Sequence, residues 1–115
     1  MIASILNSIK KLHGVSDEDH HFDEDLIMNI NTGLAILTQI GIGPEEGFAI
    51  ESARDTWEDF LGDEVPNLSG IKSYIYLKTK PIFDPSSSAT VAASLERMEK
   101  ELEWRLNVAG DTSGS

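Results

Sequence analysis

The sequence contains no cysteine. Disulfides, thiolate metal sites and cysteine nucleophiles are therefore excluded. Basic residues are scarce: 9 Lys and Arg stand against 20 Asp and Glu, a formal net charge of −11 on 115 residues. The longest basic run is Lys10–Lys11. A protein that grips the nucleic acid backbone needs clustered cations to displace counterions, and docking on an anionic membrane has the same requirement. Both are disfavoured. No apolar run approaches the roughly 20 residues that span a bilayer. Met1–Leu12 mixes apolar and polar residues and carries its lysines late, unlike a secretory signal. The chain reads as a soluble protein made in a cytosol. Catalytic signatures are missing too: there is no G-x-S-x-G, no phosphate-cradling glycine loop and no H-E-x-x-H. No carboxylate stands apart from its neighbours as a coupled, desolvated acid. The expectation is a non-enzyme with no cofactor and no metal.

What is present is enough for one compact domain. Hydrophobic residues make up 40% of the chain, which disfavours wholesale disorder despite the charge. The charge is uneven. Residues 1–66 hold 14 acids and 3 bases, residues 67–110 hold 5 acids and 6 bases, and Asp111 adds one more acid. The two halves present different potentials to partners.

Apolar spacing predicts helices. Ile2, Ile5, Leu6, Ile9 and Leu12 define a helix over about 2–13, stopped at Gly14. A densely acidic linker, 16–25, follows, with Asp23 as the expected N-cap of the next helix. That helix carries Leu26, Ile27, Ile30, Leu34 and Leu37 and ends at Gly41. Gly33 in its middle lowers helix propensity, and a close neighbouring helix is the usual reason to keep such a glycine. Residues 41–54, with Gly41, Gly43, Pro44 and Gly47, form a loop. Trp57, Phe60 and Leu61 make a short helical turn closed by Gly62. A third long helix has Leu68, Ile71, Tyr74, Ile75 and Leu77, and Pro81 should end or kink it. Phe83–Ser88 is a break. The last helix spans about 88–108, with Val91, Leu95, Met98, Leu102 and Leu106 on one stripe and Glu96–Lys100 and Glu101–Arg105 as i, i+4 pairs. The fold class is all-α: a small bundle of three to four main helices with a long C-terminal helix and a long central loop. The domain is 1–108, and 109–115 is a flexible polar tail.

Several residues invite a functional reading. His20 and His21 among acids suggest a metal site, but adjacent histidines on an extended chain point apart. The EF-hand pattern also fails, with Phe22 at the glycine position. The stretch reads as a solvated capping linker. Trp104 lies about 200° from Leu102 on the helical wheel, opposite the apolar stripe. It is either an aromatic packed on Lys and Arg stems or an interface anchor. Tyr74 belongs to the core and Tyr76 to the rim. Lys72, Lys78 and Lys80 share one helix without nearby acids in sequence, and are candidates for facing the acidic half of a neighbouring copy.

In order, these segments are Phe22-Asp-Glu-Asp25, Ile30-Asn31, Leu37-Thr-Gln-Ile-Gly-Ile-Gly-Pro-Glu-Glu-Gly-Phe48, Thr56-Trp-Glu-Asp-Phe-Leu-Gly62, Ile71-Lys-Ser-Tyr-Ile-Tyr-Leu-Lys78, Phe83-Asp-Pro-Ser-Ser-Ser88 and Glu103-Trp-Arg-Leu-Asn107. Their order and spacing resemble the head–tail connector (adaptor) proteins of long-tailed bacteriophages and prophages, over about residues 1–108. Pro81 departs from that pattern, which more often has a helix-compatible residue there.

The resemblance implies a ring, typically twelvefold, that joins the portal to the stopper or tail-completion protein at the virion neck. The protein would be synthesised in the host cytoplasm and remain a monomer until it meets the portal. Genome DNA would pass through the lumen without specific binding. The family's portal-contacting segment corresponds here to Trp104, Arg105, Leu106 and Asn107, with Val108 adjoining. Lumen-facing carboxylates would repel phosphates and keep DNA moving. Glu45, Glu46 and Glu51 are the candidates for the lumen or stopper face. The competing reading is an acidic DNA-mimic inhibitor of a DNA-binding protein, which would need carboxylates spaced like phosphates on one face.

Overall fold

The computed structural model describes residues 3–62, 68–83 and 89–114, and side chains within the last segment only from Ala92 to Asn107. Five helices follow one another: α1 (Ile5–Leu12), α2 (Asp23–Gln39), α3 (Trp57–Leu61), α4 (Leu68–Phe83) and α5 (Ala89–Gly114). The all-α expectation holds among the described residues. Helix α4 is the centre, packed by α1, α2 and α5.

The helix ends follow local chemistry. Ser4 caps α1 by accepting from the Asn7 amide (3.1 Å). Gly14, at φ +75°, turns the chain out of α1. There the Val15 amide reaches back to the Lys10 carbonyl (2.8 Å), and the Gly14 amide to Lys11 (3.0 Å). The same paired closure recurs after α2, with Ile42 on Leu37 and Gly41 on Thr38. Thr56 and Asp59 form a reciprocal capping box at α3.

The core is one cluster. Ile5, Leu6 and Ile9 of α1 meet Leu26, Ile30, Leu34 and Leu37 of α2, with Trp57 and Phe60 of α3 and Ile71, Tyr74 and Ile75 of α4. Gly33 lies against α4 as anticipated: a Cβ there would sit 2.6 Å from Ile75 Cδ1. Two backbone bonds join the chain start to α3, Ile5 N to Asp55 O (3.0 Å) and Trp57 N to Ala3 O (3.1 Å). Trp57 Nε1 adds a bond to Ser8 Oγ (3.1 Å).

Four local expectations are corrected. Asp23 does not cap α2. It is the first helical residue, Phe22 holds the cap position without a side-chain bond, and the Asp23 carboxylate turns to Lys10 instead. Pro81 does not end α4, which continues to Phe83. Its missing amide costs a hydrogen bond only in the last turn. That turn is held by Phe83, whose ring packs on His13 and edge-on against Phe22. The stripe on α5 is narrower than expected: Leu106 is buried, Leu95 and Leu102 are partly covered, and Met98 is exposed. Helix α5 packs chiefly on α4, so only a narrow face is covered. Finally, α5 runs from Ala89 to Gly114, past the end near 108 expected for the last helix. The break expected at Phe83–Ser88 falls, after Phe83, outside the described residues.

Candidate functional site

The outer face of α5 is built by its inner one. Leu106 packs against Gly70 of α4, where a Cβ would approach its Cδ2 to 3.5 Å. Lys78 of α4 bridges Glu99 of α5 (3.3 Å) and also lies over the Tyr74 ring. The Tyr74 hydroxyl is buried and lacks a hydrogen bond within bonding geometry. Burial first, then the Glu103 and Glu99 carboxylates, push its pKa well up, so it stays a neutral phenol. These contacts orient α5 so that Trp104 points away from the core.

Trp104 is 66% exposed. That is unusual for the largest apolar side chain. Lys100 and Arg97, both exposed, stand one and two turns before it on the same face. Arg105 is exposed and bonded to Glu101 (2.7 Å), which closes one of the two expected i, i+4 pairs. Asn107 is exposed and Leu106 is buried. The segment singled out from sequence is thus divided: Leu106 holds the helix down, and Trp104, Arg105 and Asn107 are presented outward. The Val108 side chain lies outside the described residues.

Glu45, Glu46 and Glu51 are all exposed on the 41–55 loop. The loop is anchored by Asn31, which sequence reasoning places only within the Ile30-Asn31 segment and gives no role. Asn31 of α2 donates Nδ2 to the Ile50 carbonyl (3.0 Å) and accepts the Ile50 amide on Oδ1 (2.7 Å). It satisfies both backbone groups of a buried residue as a strand partner would. The only sequence signal was a polar residue beside Ile30 in the uncharged part of α2 that follows its acidic first turn. Asp55 closes the loop's end by accepting the Glu51 (2.7 Å) and Ser52 (3.2 Å) amides.

The three α4 lysines differ from one another. Lys78 has an acid after all, Glu99, brought from α5. Lys72 lies over Trp57 and Lys80 over Tyr76, their stems half-buried. The acidic linker is held by Lys10, which is fully buried. Its ammonium donates to Asp23 Oδ1 (2.9 Å) and the Asp17 carbonyl (3.2 Å). His20 Nδ1 meets the other Asp23 oxygen (2.8 Å). Burial would raise the Asp23 pKa, but the Lys10 and His20 hydrogen bonds outweigh it and hold the group below the usual carboxylate value. Among the described residues no three His, Asp or Glu side chains are placed to hold a metal.

A family model of phage connector proteins matches residues 5–113. The chain belongs to the phage connector family. No curated protein and no solved structure matches it. A phage connector is a structural part of the head–tail assembly and associates with other virion proteins. This connector's exposed surface includes the Trp104 indole near Arg97 and Lys100 on α5 and the carboxylates of the loop that Asn31 anchors. No described helix is long and apolar enough to cross a membrane.

Proposed function

We propose that this connector is an adaptor ring at the virion neck, joining the portal to the stopper or tail-completion protein and extending the DNA channel. In this reading it does no covalent chemistry. Trp104, Arg105 and Asn107, with Leu106 and Val108 completing the segment, dock on the portal. Glu45, Glu46 and Glu51 face the lumen or the stopper, where carboxylates repel passing phosphates. Lys72 and Lys80, with Lys78 in support, face a neighbouring subunit. The observation that carries the docking role is Trp104, 66% exposed on a helix whose opposite side is packed. Exposed Trp beside Arg is the side-chain chemistry of binding hot spots.

Native mass spectrometry of the protein, alone and with its cognate portal, tests this. A ring on the portal, with twelve copies expected, supports it. Absence of any portal complex overturns it.

A further inference from the structure

Helix α4 ends on a turn that lacks a hydrogen bond. Pro81 has no amide to give the Leu77 carbonyl, yet the helix runs on to Phe83. A small aromatic stack around His13, the residue that follows α1, holds this turn. The His13 ring lies 4.6 Å from Tyr76 and 4.5 Å from Phe83 between centroids, and Phe83 meets Phe22 edge-on at 4.7 Å. His13 Nε2 is also 2.7 Å from Thr79 Oγ1, and the Thr79 hydroxyl reaches back to the Ile75 and Tyr76 carbonyls (3.0 Å each). One imidazole thus touches three residues of the last two turns of α4. Imidazole is also the side chain that titrates near neutral pH.

The charges around His13 oppose a second positive one. Lys80 of α4 stands 5.5 Å from the centre of the Tyr76 ring on which His13 stacks. Lys10 and Lys11 precede it on its own helix, Lys10 buried and turned to Asp23, Lys11 exposed. From the linker, His21 lies edge-on to Phe22 and is exposed. The linker carboxylates are engaged elsewhere or face water: Asp23 pairs with Lys10 and His20, and Asp17, Glu18 and Asp19 are exposed. Burial first, then Lys80, disfavour the imidazolium in the stack. The ring therefore takes up a proton more readily once it has left.

We propose that His13 is a proton-operated latch on the end of α4: neutral, it stacks on Tyr76 and Phe83 and bonds Thr79, and protonated, it leaves the stack and frees the turn from Thr79 to Phe83. With Pro81 in that turn, the remaining hydrogen-bond ladder is incomplete and holds it poorly. The opening is local. Leu26, Ile30, Leu34 and Leu37 of α2 and Ile71 and Ile75 of α4 stay packed in the core. The latch works within one chain and needs no partner.

Proton NMR of the 115-residue chain, titrated from pH 7.5 to 5, tests it. The expected result is a His13 midpoint below 6.5, with cross-peaks from its ring to Tyr76 and Phe83 lost in step with protonation. Exchange protection of the Lys80, Ile82 and Phe83 amides, corrected for intrinsic exchange, should fall by at least about threefold over the same range, with a much smaller change at Ile30 and Leu34. His13→Gln keeps a polar side chain that does not titrate, and should abolish the pH step at these amides. Lys80→Met should raise the His13 midpoint and leave opening tied to it. Cross-peaks and protection that persist once His13 is protonated show the two rings holding it as a cation, and overturn the latch. A midpoint at or above 6.5 overturns it as well, since the closed turn then binds the proton better. Equal loss of protection in α2 shows global unfolding and also overturns it. Titration of the unaltered chain decides these outcomes even where a variant fails to fold.

Discussion

By position Lys10 is a cation of the last turn of α1, where it would suit the helix dipole. It is instead wholly buried, its ammonium carried to the linker. Such a lysine satisfies its charge only through its partners, so losing the pair is costly. Lys10→Met is expected to lower stability by about 1–3 kcal/mol in urea titration. A second residue-scale prediction concerns pH. His13 stacks on Tyr76 (4.6 Å between centroids) and tilts against Phe83 (4.5 Å). Thr79 gives its hydroxyl proton to the Ile75 and Tyr76 carbonyls (3.0 Å each), so His13 Nε2 is assigned as the donor to Thr79 Oγ1 (2.7 Å). Burial, and then Lys80, hold the His13 pKa below 6.5. Below 6.5 the unfolded chain therefore takes up a proton that the folded one refuses. This contribution is complete above pH 6.5 and declines as pH falls toward the lowered folded value. Asp23 acts in the same direction at lower pH, its contribution lost as pH falls through its depressed folded value. Thermal melts at pH 7.5 and 5.5 should show the first loss, and His13→Phe should remove most of that step.

At the scale of elements, helix existence was legible in sequence because apolar spacing is a direct consequence of one-sided burial. Gly33 announced the close α2–α4 approach, and Gly14, Gly41 and Gly62 marked helix ends. What was not legible depended on contacts distant in sequence. Asp23 is a good cap by residue type, yet a buried lysine thirteen residues earlier outcompetes the helix end for its carboxylate. Pro81 is tolerated because aromatic packing fixes the turn around it. The Asn31 anchor was equally hidden, since an asparagine in a helix looks like a surface residue until its loop is in place. Asn31→Ala leaves the Ile50 amide and carbonyl buried without partners. It is expected to cost about 1–3 kcal/mol, with faster amide exchange at residues 48–52 and little change in α4.

For the whole molecule, the legible part of the candidate site was Trp104, because a helical wheel places it opposite Leu102 whatever α5 packs on. The α4 lysines were half legible: their type was visible, but Glu99, Trp57 and Tyr76, which engage them, come from other places in the fold or along the helix. Trp104→Ala is expected to change unfolding free energy by less than about 0.5 kcal/mol, since it removes an exposed side chain. The same variant should weaken portal binding by at least about tenfold in a titration. Collapse of its helical signal would instead place Trp104 in the packing of the fold.

The two-bond bridge between the chain start and α3 also bears on how the molecule is made. Helix α1 leaves the ribosome before the surfaces it docks on, which are α2, then Asp55 and Trp57, then Tyr76 and Phe83. Ile5, Leu6 and Ile9 stay partly uncovered until α3 and α4 follow α2, and joining α1 to them requires closure of a long loop. Its docking is thus complete only once α4 has followed. Its short length and polar outer side suit it to that interval as a nascent, unpartnered helix.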